Sequence, residues 1–275
     1  MKNMRVVVHC MVANEERFIW YALNSVLPFV DKIMVWDTGS SDHTLEIVGK
    51  IKSEKIELKR LSAVDAESHT RTRDLMLKAT DRSKYDWLLI LDGDEVWPST
   101  IFQRMLEETR LKSPDAVVVR TVNFVGDIYH KEPESAGHYR FGEKVGHYNL
   151  RLINLKLPNL HVSGPHGQQG YYSGKNLLQL IPTDRLLILD NIYYFHATHL
   201  DRSPFDQKTT KRSFKKKFEL GERVDSATLP EIFFNHPNEI GNVTQRYGIE
   251  YWLIALVQTL PRRLKRIFLT SREGY

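Results

Sequence analysis

The sequence predicts an α/β fold: a mostly parallel sheet with helices on both faces, then a more irregular region, then C-terminal helices. Strand and helix signals alternate through residues 5–91, and the loops between them are short. Polar clusters follow the first, second and fourth of the predicted strands. Alternation of this kind forms right-handed βαβ units, whose strands lie parallel in one sheet.

The elements of the first third follow from hydrophobic periodicity. Four apolar runs predict buried strands, at residues 5–12, 33–36, 56–61 and 87–91. Apolar residues at helical spacing predict three intervening helices, at residues 15–27, 45–51 and 68–79. Pro28 ends the first of these helices, and Ser41 or Asp42 is the predicted N-cap of the second.

The pattern changes after about residue 98. The predicted elements are a helix at residues 101–111, strands at 115–124, 150–155 and 186–195, and helices at 204–220 and 246–260. Residues 126–147 and 158–185 are rich in Gly, His, Pro and Tyr, which is typical of long functional loops. We therefore divide the chain into a βα half (1–98), a second half of the same domain (99–200) and a basic helical extension (201–275).

The composition bounds the class of protein. Of the 275 residues, 41% are hydrophobic and 27% charged, which excludes a disordered tail or a fibre. The single cysteine, Cys10, cannot form an internal disulfide, which favours a reducing compartment, and we expect a cytoplasmic location. No signal peptide is recognised, and the longest apolar stretch, residues 251–257, is far below the ~20 residues that span a bilayer.

The positive charge is concentrated at the C-terminal end. The formal net charge is +5, and residues 201–275 hold 14 basic against 9 acidic residues. In the helix predicted at 204–220, four basic residues share a face, namely Lys208, Lys211, Arg212 and Lys215. This face is either solvated or docks on an anionic membrane. Aromatic and basic residues are also interleaved at residues 251–268, and this segment either packs on the rest of the chain or lies on the same lipid surface. Peripheral contact with the cytoplasmic face of a membrane is therefore one expectation, and no nucleic-acid partner is expected.

The polar clusters predict a ligand site at one edge of the sheet, because ligands of such sheets bind outside the carboxyl ends of the strands. The clusters comprise residues 13–15, 37–42 and 92–95. Asp92 and Asp94 offer the hard oxygen ligands that Mg²⁺ or Mn²⁺ prefers, and Gly93 lets a ligand approach the backbone closely. The alternative for the Asp-Gly-Asp sequence is an ordinary acidic turn.

Other residues at this edge are candidates for binding. Asp37 ends a strand, where its carboxylate can accept a hydrogen bond from a base N–H or a ribose hydroxyl; the alternative for its loop is a turn with a helix cap. Arg71 and Arg73 lie near the start of a helix and can hold phosphate or base. His196 ends an aromatic strand, and is either structural or completes a metal shell with Asp94 through a neutral ring nitrogen.

These motifs, in this order, resemble those of the family 2 glycosyltransferases of GT-A fold. The matching segments are residues 12–15, 25–31, 37–44, 71–73 and 91–95. The resemblance is close over residues 5–97 and loose beyond residue 100. It identifies the first half as the nucleotide-sugar-binding half, residues 99–200 as the acceptor side, and the Asp-Gly-Asp sequence as a DxD motif.

The resemblance also implies roles for individual residues. The residues that would contact the nucleotide of the sugar donor are Ala13, Asn14, Glu15, Asp37 and Arg71. Asp92 would meet the ribose or the metal, Asp94 would bind the metal, and His196 would complete metal or diphosphate binding. The implied activity is inverting transfer from a UDP, GDP or dTDP sugar to a glycan, lipid-linked or polysaccharide hydroxyl, with Mn²⁺ or Mg²⁺, as in cell-surface polysaccharide synthesis.

The sequence departs from the family at the catalytic base. Relatives often carry a His-Glu pair about 30 residues before the late histidine. Here residues 164–168 read Gly-Pro-His-Gly-Gln, and the glutamate is absent. Glu143 and His166 are the preferred candidates for the base, and three other acidic residues remain open, namely Asp127, Glu132 and Glu134.

Three other functions compete with this interpretation. One is a non-catalytic protein that keeps the fold and binds a nucleotide sugar without transferring it. The second is a haloacid-dehalogenase-like phosphatase, whose nucleophile motif resembles residues 92–96, although that motif follows the first strand of its domain and here three βα units precede it. The third, a sugar nucleotidyltransferase, requires a Gly-rich loop where this chain has Asn14-Glu15-Glu16.

Overall fold

The computed structural model describes residues 4–62, 66–165, 169–208, 212, 216–267 and 272–273. Of the predicted functional residues, His166 lies outside these ranges, as do Lys211 and Lys215 of the predicted basic face and the side chain of Lys208.

The helices and strands follow the predicted order in the first half of the chain. The described α-helices are α1 (Ile19–Val26), α2 (Thr44–Lys50), α3 (Ala66–Ala79), α4 (Ser99–Lys112) and α5 (Ile249–Ile267). The described strands are β1 (Val6–Val12), β2 (Lys32–Asp37), β3 (Ile56–Arg60), β4 (Trp87–Leu91), β5 (Glu95–Val96), β6 (Ala116–Val125), β7 (Asp127–Lys131), β8 (Tyr139–Phe141), β9 (Lys144–Gly146), β10 (Tyr148–Asn154), β11 (Leu160–Ser163), β12 (Gly170–Ser173), β13 (Asn176–Leu177), β14 (Leu186–His196), β15 (Glu222–Arg223) and β16 (Arg272–Glu273).

One large sheet organises the domain. Its strand order is β15-β7-β6-β10-β4-β1-β2-β3, and β14 pairs with both β6 and β5. Strands β3, β2, β1 and β4 run parallel, as predicted, and β10 joins them antiparallel between β4 and β6. The same sheet thus runs through both predicted halves of the chain.

Helices cover both faces of the sheet, because its central strands are apolar on both sides. In β1, Val6 and Val8 belong to one buried cluster and Val7 to the other. The first cluster contains residues of α1, α2 and α4, such as Phe102 of α4. The second contains Met76 of α3 together with residues of β11 and β12, which form a small separate sheet with β13. Burial on both faces explains why these strands read as continuous apolar runs.

The C-terminal quarter agrees only in part with its prediction. The helix predicted at 204–220 is wrong over the described residues, where a single 3-10 turn (Asp206–Lys208) stands instead. The reason is that Arg212, Lys216 and Lys217 form ion pairs with Glu15, Asp201 and Glu132, and so do not make up a solvated helical face. The second helix is confirmed as α5, which continues through Pro261. No helix among the described residues has the length and apolar character needed to cross a membrane.

Candidate functional site

The three polar clusters meet at one edge of the sheet, as predicted. In the parallel registers, Val12 of β1 lies beside Asp37 of β2, and Cys10 lies beside Leu91 of β4. The loops that follow β1, β2 and β4 therefore leave the sheet side by side. We call this edge the rim.

The first and second loops of the rim are joined by Asn14. Its backbone is left-handed, with φ +54°, a conformation that asparagine tolerates better than most residues. Its side-chain oxygen accepts hydrogen bonds from the N–H groups of Ser41 (2.8 Å) and Asp42 (3.3 Å), and its own N–H donates to Ser40 Oγ at 2.8 Å. Asn14 thereby fixes the position of the loop that carries the Asp-Thr-Gly-Ser-Ser-Asp sequence.

Asp37 organises the same loop. It is fully buried, and its carboxylate accepts hydrogen bonds from the N–H groups of Gly39 and Ser40, each at 3.2 Å. This is the turn-forming role that the alternative interpretation assigned to the loop. Direct contact between Asp37 and a nucleotide stays a prediction.

Two arginines flank Asp92. Its carboxylate lies 3.1 Å from Arg73 Nη2 and 3.7 Å from Arg151 Nη2, and its side chain is 33% exposed. Partial burial alone would raise the pKa of Asp92, but Arg73 and Arg151 outweigh it and lower the pKa to about 2. Asp92 is therefore a charged and accessible ligand group at the centre of the rim.

Asp94 is buried between Arg202 and His196. Its Oδ2 atom accepts from Arg202 Nη1 at 2.5 Å and lies 3.3 Å from His196 Nε2. The antiparallel pair β5–β14 sets His196 opposite Glu95, and Ala197 N–H donates to the Asp94 carbonyl at 2.9 Å. The structure thus brings together the predicted Asp94–His196 pair and adds Arg202, which the sequence analysis missed.

Glu15 is a second partner of Arg202 and also binds Arg212. Arg202 Nη1 donates to Glu15 Oε1 at 3.1 Å, and Arg212 Nη2 donates to the same oxygen at 2.5 Å. Burial raises the pKa of Glu15 above its ordinary value, although the positive charges of Arg202 and, to a smaller extent, Arg212 act to lower it. Its other oxygen, Oε2, is buried and has no hydrogen-bond partner among the described groups.

Arg212 also closes the carboxyl end of β1. It donates to the carbonyl oxygens of Asn14 and, at 2.8 Å, of Ala13, and it is itself buried. The prediction that Arg212 belongs to a solvated or lipid-facing helix is therefore wrong, because its guanidinium is held at the rim by two carbonyls and by the carboxylates of Glu15 and Asp206. The predicted nucleotide contacts of residues 13–15 fall on the segment that Arg212 covers.

Gly93 has a different function from the one predicted. A Cβ atom at this position would lie 2.8 Å from Glu15 Cγ and 3.0 Å from Val12 Cγ1. The glycine therefore makes room for the Glu15 side chain in this structure, and the close approach that it permits comes from the protein itself.

A buried ion pair between Glu95 and Arg151 lies next to Asp92. Glu95 is fully buried and pairs with Arg151, which also donates from Nη2 to the Tyr194 hydroxyl at 2.7 Å. The second carboxylate oxygen of Glu95 accepts from the Asp92 N–H at 3.2 Å. Burial raises the pKa of Glu95. Through these contacts Glu95 fixes the turn that presents Asp92.

A chain of hydrogen bonds runs from His196 away from Asp94. Nδ1 of His196 lies 3.2 Å from Asn123 Oδ1, and Asn123 Nδ2 donates to Glu132 Oε2 at 3.0 Å. Glu132 is buried and also pairs with His199 (3.2 Å) and Lys217 (2.5 Å). Burial would raise the pKa of Glu132, but His199 and Lys217 lower it well below its ordinary value. When Nδ1 of His196 carries the ring proton and donates it to Asn123 Oδ1, the lone pair of Nε2 faces Asp94.

The donor set of the rim fits a divalent cation. Ligand atoms of Asp92, Glu95 and His196 all lie within 4.8 Å of one another, and Asp94 adjoins His196. Carboxylate oxygens with one imidazole nitrogen suit Mg²⁺ or Mn²⁺. Asp92 is the more accessible carboxylate of the Asp-Gly-Asp sequence, since the Asp94 side chain is only 1% exposed.

Of the predicted catalytic bases, His166 lies outside the described residues, and the others have the following surroundings. Glu143 is exposed in the turn between β8 and β9. Glu132 is held by His199 and Lys217, Glu134 pairs with Arg120, and Asp127 is buried beside His130.

The described residues on either side of 166–168 contact α3. Thr70 Oγ1 donates to the Gly164 carbonyl at 2.9 Å, and Gln169 Nε2 lies 3.3 Å from His69 Nδ1. The same helix carries Arg73, the partner of Asp92.

A cleft of about 430 Å³ opens between α3 and the ends of β2 and β3. Trp36 and Arg71 line it, and Lys59 Nζ stands 4.3 Å from the centre of the Trp36 ring. The Leu61 N–H, also in the lining, donates to the Asp37 carbonyl at 2.8 Å. Arg71 is thus placed in a cleft next to the rim, whereas Arg73 is part of the rim itself.

A comparison with models of protein families identifies the family of this chain. A family model described as glycosyl transferase family 2 matches residues 8–169. Among curated proteins, none matches the sequence significantly.

Two solved structures illustrate the likeness in fold, and a third matches more weakly. Residues 1–349 of S. aureus TarS, in complex with UDP-GlcNAc, match with a TM-score of 0.51 and 16% identity, over 70% of this chain and 58% of that one. Another S. aureus TarS structure gives a TM-score of 0.50 at 16% identity, over 70% of this chain and 37% of its own. Glucosyl-3-phosphoglycerate synthase from Mycobacterium tuberculosis, with Mn²⁺, UDP and phosphoglyceric acid, gives 0.44 at 18% identity, over 76% and 75% of the two chains. The chain thus spans less than two thirds of these TarS chains, and the shared GT-A fold confirms the predicted fold class.

Proposed function

Since the chain belongs to glycosyl transferase family 2, we propose that it transfers a sugar from a nucleoside-diphosphate sugar to a hydroxyl acceptor, with inversion at the sugar carbon. The observation that carries the proposal is the meeting of Asp92, Asp94 and His196 with three arginines at the carboxyl ends of parallel strands. Carboxylates and an imidazole suit a metal, and the arginines suit the diphosphate of a donor.

The donor is proposed to lie along the rim. Its diphosphate faces Arg73, Arg151 and Arg202, and its base enters the cleft lined by Trp36 and Arg71. The predicted contacts with residues 13–15 and Asp37 are part of the same proposal, and they require Arg212 to give up its bonds to the Ala13 and Asn14 carbonyls. The complex of TarS with UDP-GlcNAc makes a UDP sugar the first donor to test, with GDP and dTDP sugars as the other candidates.

The metal is proposed to be held by Asp92 and His196, with Asp94 beside them. The fit is supported by the donor set and by the buried, unpartnered Oε2 atom of Glu15 nearby. When bound, a divalent cation supplies neutralisation of the charge on the nucleoside-diphosphate leaving group. The residues themselves hold the ligand atoms in place: Asp92 through Arg73 and the Glu95–Arg151 pair, and His196 through Asn123.

Transfer is proposed as one displacement. The acceptor oxygen forms a bond to the sugar carbon while the bond from that carbon to the diphosphate oxygen breaks, and the nucleoside diphosphate leaves with the electron pair. The acceptor proton goes to a base on the opposite side of the sugar from the leaving group. We assign this base to His166 rather than Glu143, because the flanks of its loop are anchored on the helix that carries Arg73.

The test combines ligand binding with turnover. A thermal-shift series with UDP, GDP and dTDP sugars, with and without Mn²⁺, identifies the donor because a ligand of the folded state raises its melting temperature. Release of nucleoside diphosphate from that donor is then measured with wild type, Asp92→Asn and, as a control in an exposed turn, Asp81→Asn. We expect Asp92→Asn to lower kcat by roughly 10²–10³ and Asp81→Asn to leave it unchanged.

The same series distinguishes a glycosyltransferase from a non-catalytic protein that only binds a nucleotide sugar. A nucleotide sugar that stabilises the protein but is neither hydrolysed nor transferred, with any glycan or lipid-linked acceptor, indicates a non-catalytic binding protein. If no nucleotide sugar shifts the melting temperature, the donor site is wrongly assigned.

A further inference from the structure

The outward face of α5 is apolar along its whole length. Seven large side chains on this helix are 52–74% exposed, namely Ile249, Leu253, Leu256, Val257, Leu260, Leu264 and Ile267. At about 100° per residue they fall within an arc of about 100°. We call this arc the outer face of α5.

The helix cannot turn this face inward, because its opposite side is bound to the protein. The Tyr251 hydroxyl donates to the Lys217 carbonyl at 2.8 Å, and Thr259 Oγ1 accepts from the Leu220 N–H at 3.1 Å. Arg266 forms two hydrogen bonds, of 2.5 and 2.6 Å, with the buried carboxylate of Glu219. The apolar outer face is therefore a fixed feature of the surface.

The charges of α5 are almost all positive. Glu250 is its single acidic residue, whereas four basic residues lie at positions 262, 263, 265 and 266 near its C-terminal end. Arg263 and Lys265 are exposed; Arg263 borders one edge of the outer face, and Lys265 lies beyond the other. An apolar face flanked by basic side chains is the pattern of a helix that lies in a lipid interface.

From this pattern we propose that the outer face of α5 docks the protein on an anionic lipid surface, with the helix lying in the plane of the interface. A second copy of the chain fits the same face less well. Parallel pairing of two α5 helices brings the exposed Arg263 and Lys265 of both copies together, and antiparallel pairing sets these two residues against the single Glu250. A surface of acidic headgroups complements the charge in full. The proposal does not depend on glycosyl transfer. It keeps the lipid contact predicted for residues 251–268, which form α5, and gives up the one predicted for a basic helix at 204–220.

Vesicle sedimentation tests whether docking depends on the basic residues of α5 and on anionic lipid. The full chain is mixed with vesicles of phosphatidylcholine and phosphatidylglycerol, or of phosphatidylcholine alone. We expect binding to the anionic vesicles, weakened by salt. Each basic residue near an anionic surface is worth about 1 kcal/mol, or about fivefold, so Arg263→Gln with Lys265→Gln should lower the partition coefficient by about 25-fold.

A second pair of variants tests the apolar part without changing charge. Leu253→Gln with Leu256→Gln should lower partitioning by at least about tenfold, because two buried leucines are lost from the lipid contact. Glutamine has nearly the helix propensity of leucine, and both positions are exposed, so the fold is retained. The matched control is Leu111→Gln, at a leucine of α4 that is 75% exposed and should leave binding unchanged.

Three results would overturn the proposal. One is recovery of the wild type in the supernatant with both kinds of vesicle, and another is equal binding to neutral and anionic vesicles. The third is a dimer in sedimentation velocity that the Leu253/Leu256 variant converts to a monomer, without vesicle binding by either protein; this result assigns the outer face to a second copy of the chain.

Discussion

Replacing Arg202 with methionine tests whether this guanidinium stands in for a metal cation at the rim. Its Nη1 atom bonds both Asp94 Oδ2 (2.5 Å) and Glu15 Oε1 (3.1 Å), and both carboxylates are buried. Methionine keeps much of the side-chain volume and removes the charge. The substitution therefore leaves two buried carboxylates with one positive partner fewer.

The size of the effect follows from the partners that remain. Removing one member of a buried ion pair costs about 3–5 kcal/mol of stability. Glu15 keeps Arg212 at 2.5 Å, which places Arg202→Met near the lower end, at about 3 kcal/mol. At roughly 2–4 °C per kcal/mol for a large domain, the melting temperature should fall by about 6–12 °C.

The distinguishing result is the response to metal. If Arg202 and a divalent cation compete for Asp94, Mn²⁺ binds the variant more tightly and raises its melting temperature by more than that of the wild type. Differential scanning calorimetry with and without Mn²⁺ measures both effects. The matched control, Arg104→Met, changes an exposed arginine of α4 and should alter neither stability nor the Mn²⁺ response. An equal or smaller Mn²⁺ shift in Arg202→Met refutes the competition, and an unchanged melting temperature refutes the buried ion pair.

Two further predictions concern the hydrogen bonds behind His196. Asn123→Leu removes the oxygen that faces His196 Nδ1 and should weaken Mn²⁺ binding about 10–100-fold, as measured by electron paramagnetic resonance. Asn123→Asp keeps an oxygen at this place and should bind Mn²⁺ more tightly than the leucine variant. Equal Mn²⁺ affinity in the two variants contradicts the orienting role of Asn123. Glu132 has a lowered pKa in the folded protein, so its ion pairs contribute stability above the ordinary value of about 4.3 and lose it as the pH falls through the folded pKa. Urea unfolding should therefore show Glu132→Gln less stable at pH 7 and less sensitive to acid below about pH 4.3, and parallel stability–pH curves for variant and wild type would argue against this pairing.

The first half of the fold was predictable because its signals are local. The strand predicted at 87–91 is β4 itself, and the helix predicted at 68–79 is most of α3. Strand ends in a parallel sheet also predict where polar loops meet, and for that reason Asp92 and Asp94 were identified without any contact information. The helix predicted at 204–220 failed for the opposite reason: its lysines and arginine have partners far away in the chain, which periodicity cannot reveal.

The arginines of the site were the larger omission. Arg202 and Glu15 are separated by 187 positions and Arg212 and Glu15 by 197, so no local pattern connects them. One signal was present: Arg202 follows His196 and His199 at intervals of three residues directly after a strand that ends at the rim. Arg73 was predicted, with Arg71, to hold phosphate or base, but its pairing with Asp92 depends on where α3 packs against β4.

The bonds from Arg212 to the Ala13 and Asn14 carbonyls have a consequence for how this chain matures during synthesis. Glu15, in the loop that follows β1, is among the first residues of the site to leave the ribosome. The charge balance around Glu15, however, is completed only when residues 202–212 arrive, almost 200 positions later. The rim therefore reaches its final charge only after the C-terminal quarter has been made and has docked on the loop that follows β1.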